Sequence, residues 1–155
     1  MTATMEVIRK KVVVVGNGMV GHRFCKKLRA LDEQNNYEII VYGEEPRPAY
    51  DRVQLTSYFS GNSAEDLTLD PLEWYAENDI TLHVGQRIKS IDKETKKVRT
   101  ADGATQDYDY LVLATGSAPF VPPIDGINKD GIFVHLTIQD LAAIKASART
   151  PKTAT

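Results

Sequence analysis

Hydrophobic residues along the chain form short continuous runs and one helical repeat. Residues 11–15 are an apolar, β-branched run, which predicts a strand buried on both faces of a parallel sheet. Over residues 19–31 the apolar side chains recur at helical spacing with basic residues between them. Residues 37–42 form a second apolar run. A strand, a helix and a strand in this order predict a βαβ unit.

The rest of the chain is less regular but still predicts discrete elements. A proline-containing loop should lead into a short helix, and a later helix should have a proline in its first turn. Polar and apolar residues that alternate around charged turns predict a small antiparallel meander. A further run predicts a buried strand, and Thr137 can cap a last helix. These segments are residues 51–61, 71–78, 81–84 (a strand), 87–108 (the meander), 110–113 and 138–148. The predicted fold class is therefore α/β, a Rossmann-like βαβ domain with a parallel sheet and a small antiparallel β-meander.

Composition excludes several classes of partner. The net charge of the 155 residues is −2, so electrostatics favour neither nucleic acid nor an anionic membrane as a partner. No apolar run approaches the length of a membrane span. Cys25 is the only cysteine, so the chain can form no internal disulfide and cannot ligate an iron–sulfur cluster alone. A cytoplasmic location is expected.

The candidate chemistry begins at the glycine-rich turn after the first strand. Its sequence is Gly16, Asn17, Gly18, Met19, Val20 and Gly21, which matches the G-x-G-x-x-G dinucleotide fingerprint. The strand before the turn and the amphipathic helix after it are the context that this fingerprint requires. Gly16 should permit the tight turn, Gly18 should let a pyrophosphate approach the backbone, and Gly21 should let the helix lie close to the sheet. The positive end of the helix would then face the phosphates.

An acidic residue follows the second strand at the position that binds ribose hydroxyls in this motif. Glu44 occupies it, with Glu45 beside it. Because a carboxylate would repel a 2′-phosphate, the nucleotide is expected to be FAD or NAD rather than NADP.

Two further stretches resemble the FAD-dependent pyridine nucleotide oxidoreductase family. Residues 44–55, Glu-Glu-Pro-Arg-Pro-Ala-Tyr-Asp-Arg-Val-Gln-Leu, resemble its segment after the second strand, and the resemblance implies that Arg52 pairs with the FAD pyrophosphate. Residues 105–116 resemble its second FAD motif, a strand that ends in Ala-Thr-Gly and approaches the flavin nucleotide. Ala114, Thr115 and Gly116, together with Ile88, complete the expected cofactor-binding set. No catalytic residue and no metal ligand is assigned.

Within this family the chain is similar to large subunits of assimilatory nitrite reductases. The similar segments are residues 14–24, 43–53, 57–61 and 114–124. The resemblance implies an enzyme in which NAD(P)H reduces FAD, and electrons then pass through an iron–sulfur cluster to sirohaem, where nitrite becomes ammonia. It implies as partners FAD, the remainder of a parent polypeptide and a small subunit.

The chain is expected to be a fragment that is inactive by itself. It contains one dinucleotide fingerprint, no cysteine set for a cluster and no C-x-x-C redox pair. We expect residues 1–10 to be a flexible lead-in and residues 11–150 to be the first part of an FAD-binding domain. Residues 151–155 should begin a linker or strand toward a missing NAD(P)H domain. Two alternatives stay open: the FAD half of a ferredoxin or rubredoxin reductase, and a non-catalytic nucleotide-binding module.

The sequence also predicts a structural role for four other side chains. Cys25 is predicted to be a small core residue. His22 is predicted to be exposed or to cap the first helix. Trp74 and Tyr75 are expected to divide between the core and the surface of one helix.

Overall fold

The computed structural model describes residues 8–148, which form two compact units. The first unit contains residues 8–49 and Leu69–Gly116, and the second contains Tyr50–Thr68 and residues 117–148. The expected linker at 151–155 and most of the expected lead-in lie outside the described residues. Lys10, which was assigned to the lead-in, already belongs to the first strand. None of the helices within residues 8–148 has both the length and the apolar composition needed to cross a membrane.

The first unit contains a four-stranded parallel sheet and a three-stranded antiparallel sheet. In chain order its elements are β1 (Lys10–Val15), α1 (Met19–Leu31), β2 (Tyr37–Tyr42), α2 (Leu72–Glu77), β3 (Ile80–His83), β4 (Ile88–Asp92), β5 (Lys97–Thr100), β6 (Thr105–Asp107) and β7 (Tyr110–Leu113). The parallel sheet has the order β3-β2-β1-β7, and the antiparallel sheet has the order β4-β5-β6. The predicted α/β class, the βαβ unit and the meander are confirmed.

The centre of the parallel sheet is buried on both faces, as predicted for β1. On one face, Val12 and Val14 pack with Cys25 of α1 and Tyr75 of α2. On the other face, Val13 and Val15 of β1 pack in a second cluster with the meander. In that cluster the meander contributes Val98, which has no exposed surface. The helices and the meander therefore cover opposite faces of one sheet, which explains the unbroken apolar run in β1.

Strand β7 differs from its prediction as a buried strand. Tyr110 is 54% exposed and Leu113 is 60% exposed. β7 pairs with β1 on one side and forms the last strand in the order of the described sheet. An apolar run therefore predicted the strand correctly and its burial wrongly, because periodicity does not tell a central strand from an edge strand.

The second unit contains a 3-10 helix, Leu55–Ser60, and the helix α3, Ile138–Ala148. Its core consists of Tyr50, Leu55, Leu67, Ile138 and Leu141. The backbone N–H of Asp140 donates to the Thr137 hydroxyl over 3.2 Å, and the Asp140 carboxylate accepts from the Thr137 N–H over 2.8 Å. This reciprocal capping confirms Thr137 as the cap of α3.

Asp32 joins the end of α1 to the beginning of β2. Its side chain is only 1% exposed, and its carboxylate accepts backbone N–H bonds from Asn36 at 2.8 Å and Tyr37 at 2.9 Å. Burial acts to raise the pKa of Asp32, but these two hydrogen bonds and the nearby Arg29 outweigh it and hold the pKa below 3.8. The ionised carboxylate thus fixes the turn that brings β2 back alongside β1.

We expect Asp32→Ala to lower the free energy of unfolding by about 1.5–3 kcal/mol at pH 7, because two part-buried backbone hydrogen bonds lose their charged acceptor. Urea unfolding followed by circular dichroism measures this loss, with Glu33→Ala as the exposed control on the same segment. The folded-state pKa of Asp32 is depressed, so its contribution is present above pH 3.8 and is lost as the pH falls below that value. Equal stability of Asp32→Ala and Glu33→Ala at pH 7 would contradict this role.

Candidate functional site

The glycine-rich turn between β1 and α1 is packed so closely that two of its glycines have no room for a side chain. A Cβ built on Gly16 would lie 2.1 Å from the carbonyl oxygen of Ala114, and the φ angle of Gly16 is +109°. A Cβ built on Gly21 would lie 2.0 Å from the carbonyl oxygen of Gly16. Both distances are far below van der Waals contact, so the backbone of α1 reaches the sheet only because these positions are glycine.

Gly18 stands in the opposite situation, because open space surrounds it. Apart from Gly18 and the two residues next to it in the chain, no atom lies within 4 Å of a Cβ built there, and its φ angle of −89° is ordinary. Gly18 is the N-cap of α1, which has no side-chain cap and no acidic residue in its first turn. The first N–H groups of a helix have no acceptor within the helix, so those of α1 can serve an external anion. Met19 and Val20, which follow, are 36% and 72% exposed.

The side chain of Asn17 is used inside the fold. Its Oδ1 accepts a 3.1 Å hydrogen bond from the hydroxyl of Tyr75, and its Nδ2 is a buried amide nitrogen without a partner among the described residues. A Cβ on Gly43 would lie 3.0 Å from the Asn17 Cβ, so this side chain rests on the residue that follows β2. Asn17 therefore joins the turn to α2 and to the end of β2.

The expected ribose carboxylate lies directly after β2. The Glu44 side chain is 66% exposed, and its Oε1 accepts a 3.0 Å hydrogen bond from Nη1 of Arg87. Glu45 is half-buried. Glu44 thus presents a solvent-accessible carboxylate at the carboxyl end of the strand beside β1, where parallel α/β sheets bind ligands.

The Ala-Thr-Gly segment after β7 contacts the glycine-rich turn directly. The N–H of Ala114 donates to the carbonyl of Val15 over 2.8 Å, and its own carbonyl lies against Gly16. Thr115 is exposed, and Gly116 has a φ angle of +71°. Residues that are almost one hundred positions apart in the sequence are therefore in contact at this edge of the candidate site.

Two other expected residues have different surroundings. Ile88 begins β4 and packs partly buried against the core cluster shared by the sheet and the meander. Arg52 belongs to the second unit, where its Nη1 donates to the carbonyl of Leu136 over 3.1 Å and its guanidinium lies 5.2 Å from the ring of Tyr50.

His22 is buried, which contradicts the prediction that it is exposed or caps α1. It is 5% exposed, and its Nε2 lies 2.8 Å from the Asp70 carboxylate, which also accepts a 2.7 Å bond from Lys26. Burial lowers the pKa of His22, although the bond with Asp70 acts in the opposite direction. Burial acts to raise the pKa of Asp70, but the bonds from Lys26 and His22 outweigh it and lower that pKa. A neutral imidazole therefore donates to an ionised carboxylate and joins α1 to the segment before α2.

Helical spacing could have revealed the burial of His22. Cys25 has no exposed surface, as predicted, and His22 precedes it by one helical turn on the same face of α1. Burial raises the pKa of Cys25 to about 12, so the thiol stays protonated and unreactive at neutral pH. Tyr75 was not expected at the site, and no local pattern connects it with Asn17 because they are 58 positions apart.

Comparisons with known proteins identify the fold and its family. Residues 10–154 match the family described as pyridine nucleotide-disulphide oxidoreductase. The chain is 44% identical over 142 residues to the nitrite reductase (NADH) large subunit of Escherichia coli K12, covering 92% of this chain and 17% of that protein. It is 46% identical over 141 residues to the nitrite reductase [NAD(P)H] large subunit of Klebsiella oxytoca, covering 91% of this chain and 15% of that protein.

A solved structure agrees with these sequence relationships. The covalent putidaredoxin reductase–putidaredoxin complex superposes with a TM-score of 0.81 at 29% identity, covering 89% of this chain and 34% of that chain. By the coverages given above, the chain spans less than a fifth of the length of the two nitrite reductase subunits. The family match covers nearly the whole chain and includes the glycine-rich turn, the acidic residue after β2 and the Ala-Thr-Gly segment. This chain belongs to the pyridine nucleotide-disulphide oxidoreductase family.

Proposed function

We propose that this chain is the FAD-binding part of an NAD(P)H-dependent oxidoreductase, with residues 11–150 as the first part of its FAD domain. The observation that carries the proposal is the open space at Gly18, above an α1 terminus that lacks a side-chain cap. Gly16 and Gly21 hold this terminus against β1 and the segment after β7. A diphosphate fits there because it would bring acceptors to unpaired amides and negative charge to the positive end of a helix.

The neighbouring side chains suit the other parts of a dinucleotide. Glu44 can accept hydrogen bonds from ribose hydroxyls, and Glu45 lies beside it. Arg52 would supply a charge-assisted, bidentate contact to the pyrophosphate. When bound, FAD would accept a hydride from a nicotinamide and release electrons singly, while the protein positions the flavin and tunes its potential.

FAD is favoured over NAD by the residues outside the glycine-rich turn. The turn and Glu44 suit either nucleotide, but the Ala-Thr-Gly contact with Gly16 and the segment around Arg52 resemble motifs of FAD-binding domains. The family match adds support, because it extends over residues 10–154 rather than over the turn alone. In this proposal Ile88, Thr115 and Gly116 line the nucleotide further along its length.

We infer that the parent protein is a nitrite reductase large subunit, because the two relatives with that name are 44% and 46% identical to this chain. Its iron–sulfur cluster and sirohaem would need ligands from other parts of the parent, since Cys25 is the only cysteine here. The rest of the parent polypeptide and a small subunit would be its protein partners. The cytoplasmic location stays a prediction from the sequence.

The superposition on putidaredoxin reductase favours a second candidate. In that case the parent would be a reductase that passes electrons from FAD to a small redox protein. Both candidates require the same FAD site in this chain and differ in the electron acceptor. A non-catalytic nucleotide-binding module is the third alternative, and FAD titration separates it from the other two.

We expect the purified chain to bind FAD more tightly than NAD, as measured by flavin fluorescence anisotropy and by competition with NAD. Gly18→Val should weaken FAD binding at least about 100-fold, or more than about 2.7 kcal/mol, because the branched side chain occupies the diphosphate position. The far-ultraviolet circular dichroism should stay unchanged, since the site of the new Cβ is empty.

Gly21→Ala is the matched contrast to that variant. The methyl group that this substitution adds is smaller than a valine side chain, but its carbon would lie 2.0 Å from the carbonyl oxygen of Gly16. We therefore expect Gly21→Ala to destabilise the fold rather than to leave a folded, non-binding chain. Wild-type affinity in Gly18→Val would contradict the proposed diphosphate position. A chain that binds NAD and ignores FAD would favour the nucleotide-binding module.

Arg52→Ala should weaken FAD binding by about 1.5–3 kcal/mol, roughly 10- to 100-fold, because a charge-assisted hydrogen bond to the pyrophosphate is lost. The affinity of the wild-type chain should also fall more steeply with salt than that of the variant. Arg99→Ala removes the same charge from an exposed position in β5 and serves as the control. An Arg52→Ala effect no larger than that of the control removes Arg52 from the site.

The parent protein should oxidise NAD(P)H in response to nitrite and should form ammonia. Its sequence should contain a set of cysteines for the cluster and sirohaem, and its absorption spectrum should include sirohaem bands. A parent that reduces a small iron–sulfur protein but leaves nitrite unchanged would support the second candidate instead. Either result is compatible with FAD binding in this chain, so this measurement tests only the electron acceptor.

A further inference from the structure

Tyr75 is a fully buried tyrosine whose hydroxyl reaches the glycine-rich turn. The residue is 1% exposed, lies in α2, and packs in the core cluster of Val12, Val14 and Cys25. Its hydroxyl is 3.1 Å from Oδ1 of Asn17. The ring therefore belongs to the hydrophobic core, while the hydroxyl reaches the end of β1.

The hydroxyl has two polar neighbours in the first unit. Besides Asn17, it forms a hydrogen bond with the backbone of Ala49, at the end of the segment that contains Glu44 and Glu45. Burial raises the pKa of Tyr75 to about 12, although these two hydrogen bonds act in the opposite direction. The hydroxyl is therefore protonated throughout the neutral range and has one proton to donate.

Asn17 extends this connection to the end of β2. Its side chain lies against Gly43, which separates β2 from Glu44, and the Gly43 N–H donates to the carbonyl of His83 over 2.8 Å. On the other side of the turn, the N–H of Gly16 donates to the carbonyl of Tyr42 over 2.8 Å. The Asn17 side chain thus extends from the turn that holds the proposed diphosphate position to the residue that precedes the proposed ribose carboxylate.

The hydrogen bond from Tyr75 also decides which way the Asn17 amide points. Because Oδ1 accepts from the hydroxyl, Nδ2 is the amide atom left without a partner among the described residues. A buried amide with one unsatisfied group is held by its remaining hydrogen bond, and removal of that bond would leave both ends unsatisfied. The turn would then lose the one side-chain hydrogen bond that Asn17 makes within residues 8–148.

We propose that Tyr75 is a positioning residue for the nucleotide, which acts through Asn17 to hold the glycine-rich turn at a fixed distance from the end of β2. This inference rests on the proposed FAD site. It requires no contact between Tyr75 and the cofactor. The consequence is that the hydroxyl contributes to FAD affinity, and that this contribution depends on the Asn17 side chain.

A double-mutant cycle in the 155-residue chain tests this dependence, with flavin fluorescence anisotropy measuring FAD affinity. Tyr75→Phe should weaken FAD binding about 3- to 10-fold, and Asn17→Ala should weaken it at least as much. In the Asn17→Ala background, Tyr75→Phe should change the affinity by less than about twofold. Urea midpoints measured alongside show how far each variant changes the stability of the fold.

Two controls separate positioning from stability. Tyr37→Phe removes one hydroxyl from another tyrosine that packs on the same core, at the opposite end of β2. Trp74→Phe reduces packing of α2 without touching Asn17. Both should leave FAD affinity within about twofold of wild type, even where they lower the urea midpoint.

The outcomes distinguish this inference from the function on which it rests. A wild-type chain that fails to bind FAD overturns the proposed function and the role of Tyr75 together. A chain that binds FAD but shows equal losses from Tyr75→Phe in both backgrounds overturns only the role of Tyr75. If Tyr75→Phe does not fold, Asn17→Ala decides alone, and unchanged affinity in that variant overturns the proposal.

Discussion

The contact on which the rest of the structure depends is the approach of three backbone segments to one another without any side chain between them. Gly16 lies against the Ala114 carbonyl, and Gly21 lies against the Gly16 carbonyl. These contacts bring the N-terminus of α1 onto the carboxyl end of β1 and close the gap to the segment after β7. A side chain at either glycine would push the helix away from the sheet, and the row of free amides would no longer face the space at Gly18.

The same constraint explains why polar side chains from distant parts of the sequence gather around the turn. Once α1 is pressed onto the sheet, His22 and Cys25 face inward, and a buried imidazole requires a hydrogen-bonding partner. Asp70 supplies it from the segment before α2, and α2 in turn places Tyr75 beneath Asn17. Each of these features therefore depends on the one before it. The glycine contacts set the position of α1, α1 buries His22, and the bond between His22 and Asp70 helps to set the position of α2.

Sequence patterns predicted the elements of this unit much better than they predicted which side chains are buried. Residues 19–31 and 37–42 were assigned to their helix and strand with the observed limits, because near neighbours set the hydrophobic period of these segments. The exposure of Tyr110 depends instead on β7 having one strand neighbour in the described sheet. Pro71 also differs slightly, since it precedes α2 as the N-cap rather than lying in its first turn.

The residues of the candidate site also divide into those that the sequence predicts and those that only the folded structure reveals. The positions of the glycine-rich turn and of Glu44 could be predicted from the sequence, because each closely follows a strand that its apolar run already indicates. The partners of His22 and Asn17 could not, since they are 48 and 58 positions away and only the folded sheet brings them close. The pairing of Arg87 with Glu44 could not be predicted from the sequence for the same reason.

The pair formed by Glu44 and Arg87 changes the argument about which nucleotide the site accepts. A carboxylate alone would repel a 2′-phosphate, but Arg87 lies 3.0 Å from the Glu44 carboxylate and offsets its charge. Both side chains are more than 60% exposed, so solvent weakens their attraction and the charge on Glu44 stays partly effective. The stronger discrimination comes from hydrogen bonding. A carboxylate only accepts, and with two oxygens it can bond Arg87 and a ribose hydroxyl at the same time. In the proposed site, a phosphate in place of that hydroxyl would bring acceptors toward acceptors, so Glu44 would select an unphosphorylated ribose even with its arginine partner in place.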